Sequence, residues 1–456
     1  MGVLIEDGRS GGVTAPAAFA AARFGLGARP GELAIIGRDP RGWVESQLQR
    51  PAPLPAALAG KPSSAEILAE VMEAHAKGGP AKVGKLAREN LRAVYLNEVA
   101  ARTQAAIETD HPVFERLVQF WSNHFTVSVR GKPFVLGIPG AYEREAIRPH
   151  VLGRFEDMLR AVVEHPAMLV YLDNWLSVGP DSIGGRRRNK GLNENLAREI
   201  MELHTLGVDG GYTQADVTTF AKVLTGWTVT PLRSGDPGHF RFMPQIHEPG
   251  DKVILGRPYA EGGKAEGDAV LRDLAHHPST ARFIATKLAR HFIADDPPPD
   301  AVDRLARRFQ ETGGDLGAVT RTLVALPEAW PKTPNKIKTP NELVISAFRA
   351  LGGAPEEPLR LVQSLAVLEQ PTFSAPSPAG WPDKASDWIG PEAAMKRIEW
   401  VHVLATRWPR EDSPITLASD VLGDGVAPTT SFAFEHAASA RDGVAYVLLS
   451  PEFQRR

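Results

Sequence analysis

A histidine-proline pair followed by an apolar stripe at helical spacing recurs along this chain, and it restricts the fold more than any other feature. After His111-Pro112, the side chains of Phe114, Leu117, Val118, Trp121 and Phe125 fall on one side of a 3.6-residue repeat. His165-Pro166 and His277-Pro278 open further segments in the same way, with histidine as the capping residue and proline at the first helical position. Strands and helices do not alternate in a sustained pattern, and no Pro/Ser-rich linker is long enough to separate domains. The expected fold is mainly α, a single large multi-helix domain over residues 15–456 behind a flexible leader, residues 1–14. One stretch departs from this. Residues 228–268 alternate Thr/Val-rich or aromatic pieces with Gly and Pro, which predicts a small irregular or β excursion with short strands at Trp227–Val229, His239–Met243 and Val253–Leu255.

Several loops punctuate the helices. Val129–Gly140 and the Gly- and Arg-rich Gly179–Gly191 read as loops, the Arg186-Arg187-Arg188 run being a solvated one. Gln370–Pro391 contains five prolines and two tryptophans, Trp381 and Trp388. A loop of that length is usually functional or else disordered, and its aromatics argue for order. A final helix is expected over Glu392–Trp408, before a weakly patterned tail.

The segment Asn193–Gly207 carries the densest set of candidate chemical groups. At about 100° per residue it sorts into two arcs. Leu196, Ala197, Ile200, Met201, Leu203 and His204 share one side; Glu194, Asn195, Arg198, Glu199 and Glu202 share the other. Glu199 and Glu202, one turn apart, form an acid/base pair or a pair of metal ligands if they face a cleft. Arg198 would orient them or an anionic substrate, and Asn195 would add a ligand or a hydrogen-bond donor. On a solvent face, Glu194, Arg198 and Glu202 would instead make an i, i+4, i+8 ion ladder worth a few tenths of a kcal/mol per pair. His204 lies roughly 140° from Glu199 on a straight helix, so one metal ion would not easily take both. Its expected partner is His124, which points inward from the stripe after His111. Each histidine could equally be a satisfied core residue.

Charge and composition remove several functions. The formal net charge is −2, with 52 basic and 54 acidic side chains, which leaves no nucleic-acid footprint or polybasic membrane patch. The chain has no cysteine, so thiolate metal sites, disulfides and cysteine nucleophiles are excluded. Any protein-held metal would use His, Asp, Glu, Asn or backbone oxygen, which suits zinc, iron or manganese. No run approaches the ~18 apolar residues of a membrane span. The N-terminus lacks a basic stretch followed by an apolar core, so a cytoplasmic location is expected. Gly8-Arg-Ser-Gly-Gly12 matches the nucleophile-elbow spacing, but only three apolar residues precede it, and it reads as chance.

The chain resembles the bacterial "domain of unknown function 1800" family. The resemblance rests on Arg23-Phe-Gly-Leu-Gly27, Phe120-Trp-Ser-Asn-His-Phe-Thr-Val-Ser128, Asn193–Gly207, Tyr212–Val217, Leu224–Trp227, His247-Glu-Pro-Gly-Asp251, His277-Pro278, Lys336–Glu342 and Ser377–Pro382. It runs from about residue 15 to the C-terminus and implies a large bacterial protein without a settled activity. Some relatives are exported.

Two functional readings follow. In the first, the protein is an enzyme with a polar site between helices that could depend on a divalent metal. Glu199, Glu202, Arg198 and Asn195 would be its catalytic residues, and His124, His204, His247 and Asp251 its metal ligands. Trp381 and Trp388 would form a lid or substrate wall. In the second, the protein is a non-catalytic helical scaffold that binds a protein partner.

Overall fold

The computed structural model describes residues 16–188, 191–408 and 413–456. The leader at 1–14 and the Gly8–Gly12 match lie outside the described residues. The rest is mainly α, with two small two-stranded antiparallel sheets.

Local chemistry sets the helix starts. His165 Nδ1 accepts from the Ala167 backbone N–H at 3.1 Å, and His277 Nδ1 accepts from Ser279 N–H at 3.2 Å. Each histidine thus satisfies one of the orphan donors of a helix N-terminus. His111 makes no such bond; its own N–H donates to Thr109 Oγ1 at 2.9 Å, so proline alone starts that helix. Thr213 and Asp216 form a reciprocal capping box at the head of Gln214–Val223.

The β excursion pairs Trp227–Val229 with Phe240–Phe242, and Lys252–Ile254 with Arg257–Tyr259. The last strand was not anticipated. It returns through Leu255-Gly256, both at positive φ (51° and 74°), the two-residue turn that matches strand twist.

Two hydrophobic cores divide the molecule. The larger gathers helices Pro16–Arg23, Pro112–His124, Phe155–Glu164 and Pro278–Phe292 around Trp121, Phe125 and Phe155. The smaller packs Pro340–Ala350, Leu359–Val367, Pro391–Arg407, Pro414–Leu422 and Ala440–Leu449 against Val99, Ala106 and Ile107 of helix Arg92–Glu108. The tail after Trp408, read as weakly patterned, is therefore largely helical and supplies much of this second core. The stretch around Gly179–Gly191 also contains a short helix, Ile183–Arg188, on which Arg186 and Arg187 are exposed.

Buried charge ties the two cores together. Glu342 pairs with Arg116 and, at 2.8 Å, with Arg456 Nε. Arg23 donates to the carbonyls of Phe292 and Ile293, both at 2.8 Å, and to Arg456 O at 2.7 Å. Despite burial, the two guanidiniums hold the Glu342 carboxyl well below the usual carboxylate range.

Candidate active site

A cavity of about 470 Å³ opens where the two cores meet. Helix Pro112–His124 contributes Arg116, Gln119, Phe120 and Asn123, spaced i, i+3, i+4 and i+7, so that one face lines the space. Helix Pro278–Phe292 contributes Phe283, Lys287, Arg290 and His291 by the same geometry. Asn341 and Glu342 enter from the first turn of Pro340–Ala350, and Leu203 from the Asn193–Gly207 segment.

The proline-rich loop closes the cavity, with Trp381, Pro382 and Asp383 in its wall. Asn123 holds the loop by its amide, donating to Trp381 O at 2.9 Å and accepting from Trp381 N–H at 2.8 Å. Ser128 Oγ donates to Ala375 O and Val129 N–H to Phe373 O, both at 2.8 Å. Gly380 allows this close approach. Its φ is 83°, and an added Cβ would lie 2.4 Å from Asn123 O. Trp388 is buried behind Trp381, their ring centroids 6.0 Å apart, and its indole N–H donates to Pro382 O at 3.0 Å.

The wall carries more positive than negative charge: Arg102, Arg116, Lys287, Arg290 and Lys384 against Glu342, Asp383 and Asp387. Most of these are already engaged. Arg102 pairs with Glu143 at 2.8 Å, Arg116 with Glu342, and Lys384 with Asp296 at 2.9 Å. Lys287 is different. Among the described residues it has no hydrogen-bond or ion-pair partner, and its ammonium lies 5.6 Å from the Phe283 ring centroid. Burial brings its pKa down to about 8, with Asp383 opposing and Arg290 reinforcing the shift.

His291 stands one turn further along. Burial depresses it to about 4, so the ring is neutral and donates Nδ1–H to Asp383 Oδ2 at 2.9 Å. Its Nε2 lone pair faces Arg116 Nη1 at 3.5 Å. Burial works to raise the Asp383 carboxyl, but His291, Arg456 and Lys336 together hold it below the ordinary range.

Two further polar features border the cavity. Asn341 Nδ2 donates to Gln119 Oε1 at 2.8 Å, which leaves Gln119 Nε2 and Asn341 Oδ1 buried without partners. Reversing both amides would still leave one donor and one acceptor unmatched. His124 is buried and neutral, its pKa driven well down by burial and by the Lys287 charge. Its Nε2–H donates to the His204 carbonyl at 3.1 Å, and its Nδ1 has no partner.

The residues singled out from sequence fall in several places. His124 and His204 do meet, with ring centroids 6.3 Å apart, and both Nδ1 atoms are unpartnered. Burial takes His204 to about 3, and the Lys287 charge adds to this. The backbone departs from a regular α-helix here, although the two arcs remain separate, one largely buried and one half-buried or exposed. From Ile200 to Thr205 the helix is π-wound, each turn closing at i+5, as in Leu206 N–H to Met201 O at 2.9 Å. Gly207 ends it at φ 83°, where an added Cβ would lie 2.9 Å from the Phe283 ring.

Glu199 and Glu202 do not line the cavity; both are half-buried. Burial lifts Glu199 to about 7, the Glu202 charge adds to the shift, and Arg198 opposes it. Arg198 bridges Glu194 at 3.1 Å, and Asn195 is exposed with its N–H on Asn193 Oδ1 at 2.9 Å. His247 donates Nδ1–H to Thr225 O at 2.9 Å, and its Nε2 lies 3.4 Å from Glu266, which Lys252 also approaches at 3.3 Å. That buried cluster braces the β excursion. Asp251 is exposed and caps Glu261 N–H at 2.9 Å. Among the described residues, no group of three or more His, Asp or Glu side chains could share a metal ion. The structure brings His124 and His204 together and places His247 and Asp251 elsewhere, on Thr225 O and Glu261 N–H. Among the described residues no helix is long and apolar enough to cross a membrane.

Sequence reasoning passed over Lys287, Arg290, His291, Gln119, Asn341 and Asp383. A signal existed for three of them: Lys287, Arg290 and His291 are polar residues spaced i, i+3 and i+4 on the face that begins with Phe283.

Residues 20–455 match the model of a family described as a protein of unknown function, DUF1800. No curated protein and no solved structure matches the chain.

Proposed function

The chain belongs to the DUF1800 family, and from the geometry of its cavity we propose that it is an enzyme acting on a small anionic molecule between helices Pro112–His124 and Pro278–Phe292. One observation carries this reading. Lys287 presents an amine without a partner to a cavity whose wall has five cationic and three acidic side chains. A cation kept unpaired in a half-buried site costs stability, so an occupant of opposite charge is the economical explanation. A lysine of lowered basicity is also partly neutral near pH 7, which suits it to act as base or nucleophile. Trp381 and Phe283 supply apolar walls.

The carboxylates Glu199 and Glu202 do not line this site and are not assigned to it. The proposed chemistry is assigned to side chains of the cavity.

Calorimetric binding of small carboxylates and phosphates tests the proposal. Wild-type protein should bind at least one such anion with a Kd that weakens on the order of tenfold or more in Lys287→Met, which corresponds to about 1.4 kcal/mol or more. Equal binding by both proteins, or none by either, would overturn it.

The scaffold reading has a separate observation behind it. Met395, Ile398 and Val403 on helix Pro391–Arg407 are 54%, 39% and 47% exposed, an apolar surface that a protein partner would cover.

A further inference from the structure

We infer that Lys287 forms an imine with a small oxo acid, a molecule carrying both an aldehyde or ketone and a carboxylate. This rests on the reading of the cavity as an anion-binding active site and narrows it to a substrate class.

Three structural features lead there. First, the Lys287 amine is unpaired while the other lysine of the wall, Lys384, is tied to Asp296 at 2.9 Å. A nucleophilic amine needs a free lone pair, and a lysine held in an ion pair does not offer one. Second, Arg290 lies one turn away on the same helix face, with its Nε donating to Asp295 O at 3.2 Å. A cation beside a lysine disfavours the ammonium and offers a carboxylate its counter-charge. Third, His124 borders the cavity with a buried Nδ1 that no protein group satisfies. Its other nitrogen is fixed as a donor to His204 O, so Nδ1 carries a lone pair that can accept a hydrogen bond.

The step balances without any further reactant. The neutral Lys287 Nζ attacks the carbonyl carbon and a C–N bond forms. The carbonyl oxygen gains a proton as the nitrogen loses one, giving a carbinolamine. Loss of that hydroxyl as water, with the second N–H proton, leaves the imine.

A second lysine makes the inference sharply testable. Lys338 is also of lowered basicity, brought to about 7 chiefly by burial. However, it is 3% exposed, bonded to Ser346 Oγ at 3.0 Å, and lies 3.8 Å from the Phe453 ring centroid. It does not line the large cavity. Ease of deprotonation alone would favour Lys338; a built site favours Lys287.

The experiment incubates the full-length protein at pH 7 with glyoxylate and cyanoborohydride. The reagent reduces any imine to a secondary amine, leaving one carboxymethyl group on the lysine, and peptide mass mapping locates it. Lys287 should be modified on the order of tenfold or more faster than the surface lysines, which are mostly protonated at this pH. Lys338 should stay unmodified, and propionaldehyde, which lacks the carboxylate, should label Lys287 more slowly. Modification spread over surface lysines, or equal labelling of Lys338, would overturn the inference. Glyoxylate binding measured without reductant separates the two failures. Saturable binding with no Lys287 adduct rejects the imine and leaves the anion site standing; no binding and no adduct rejects both for this class of substrate.

Discussion

His291 Nδ1 donates to Asp383 Oδ2 at 2.9 Å, and this bond fastens the loop that closes the cavity to helix Pro278–Phe292. Asp383 also faces Lys336 at 3.6 Å and Arg456 Nη2 at 3.3 Å, so one carboxylate serves three partners from three parts of the chain.

Asp383→Asn should therefore weaken the loop before it weakens the cores. Breaking a buried pair costs about 3–5 kcal/mol; here the carboxylate is 23% exposed, and about 2 kcal/mol is expected after allowing for solvent screening. Urea denaturation gives the magnitude, and hydrogen exchange gives the place. Amides of residues 370–391 should exchange faster than in wild type, and uniform acceleration across the chain would contradict the assignment.

Glu342 is the more deeply buried carboxylate, and its loss removes the ion-pair partner of Arg116 and leaves Arg456 with Asp383. Glu342→Gln should cost about 3–5 kcal/mol. Because its folded pKa lies well below its unfolded value, its stabilising effect is full above the ordinary carboxylate range. It is lost as pH falls through the depressed folded value. The gap between variant and wild type should accordingly narrow in acid, as read by denaturation at pH 7 and pH 3.

Glu199 predicts the opposite sign. Its folded pKa is raised to about 7, so the ionised form destabilises the fold and stability declines as pH rises from the unfolded value toward 7. Glu199→Gln should be more stable than wild type at pH 8, by ~1 kcal/mol once screening of this half-buried group is allowed for, and equal to it near pH 4. A variant that is less stable at pH 8 would show that the Glu199 charge is instead held by an attractive contact.

Gly380→Ala tests the loop geometry directly. Positive φ and a Cβ 2.4 Å from Asn123 O make the substitution strained, with a cost of about 1–3 kcal/mol. Displacement of Trp381 from the cavity should appear as a change in tryptophan fluorescence, whereas an unchanged spectrum and stability would mean that the loop does not depend on this approach.

Much of the helical architecture was legible because its signals are local. Proline at the first helical position and apolar stripes of period 3.6 marked most of the helices up to Trp408, but not the short ones at Ile183–Arg188 and Leu359–Val367. The helices beyond it are short, and their stripes are too brief to read. Yet Ser413-Pro414 and Ser450-Pro451 use the same cap-proline device as His277-Pro278, with Ser413 and Ser450 bonding backbone N–H groups of the first turn. The meeting of His124 and His204 was legible because both sit within apolar stripes. The cavity was not. Its pairs join residues far apart in sequence, Arg116 with Glu342 and His291 with Asp383, and nothing local to Lys287 reveals that it lacks a partner. The π-winding after Ile200 was equally hidden, because the residues Ile200–Thr205 carry no local signal for it.

Lysine-selective NMR titration of the Nζ groups addresses the central claim most directly. Two lysines should titrate well below the ordinary value, one near 8 and one near 7. The resonance near 8 should vanish in Lys287→Met and move upward when an anion that binds the cavity is added, while the one near 7 stays fixed. A Lys287 that titrates with the surface lysines, or that ignores such an anion, would contradict the account.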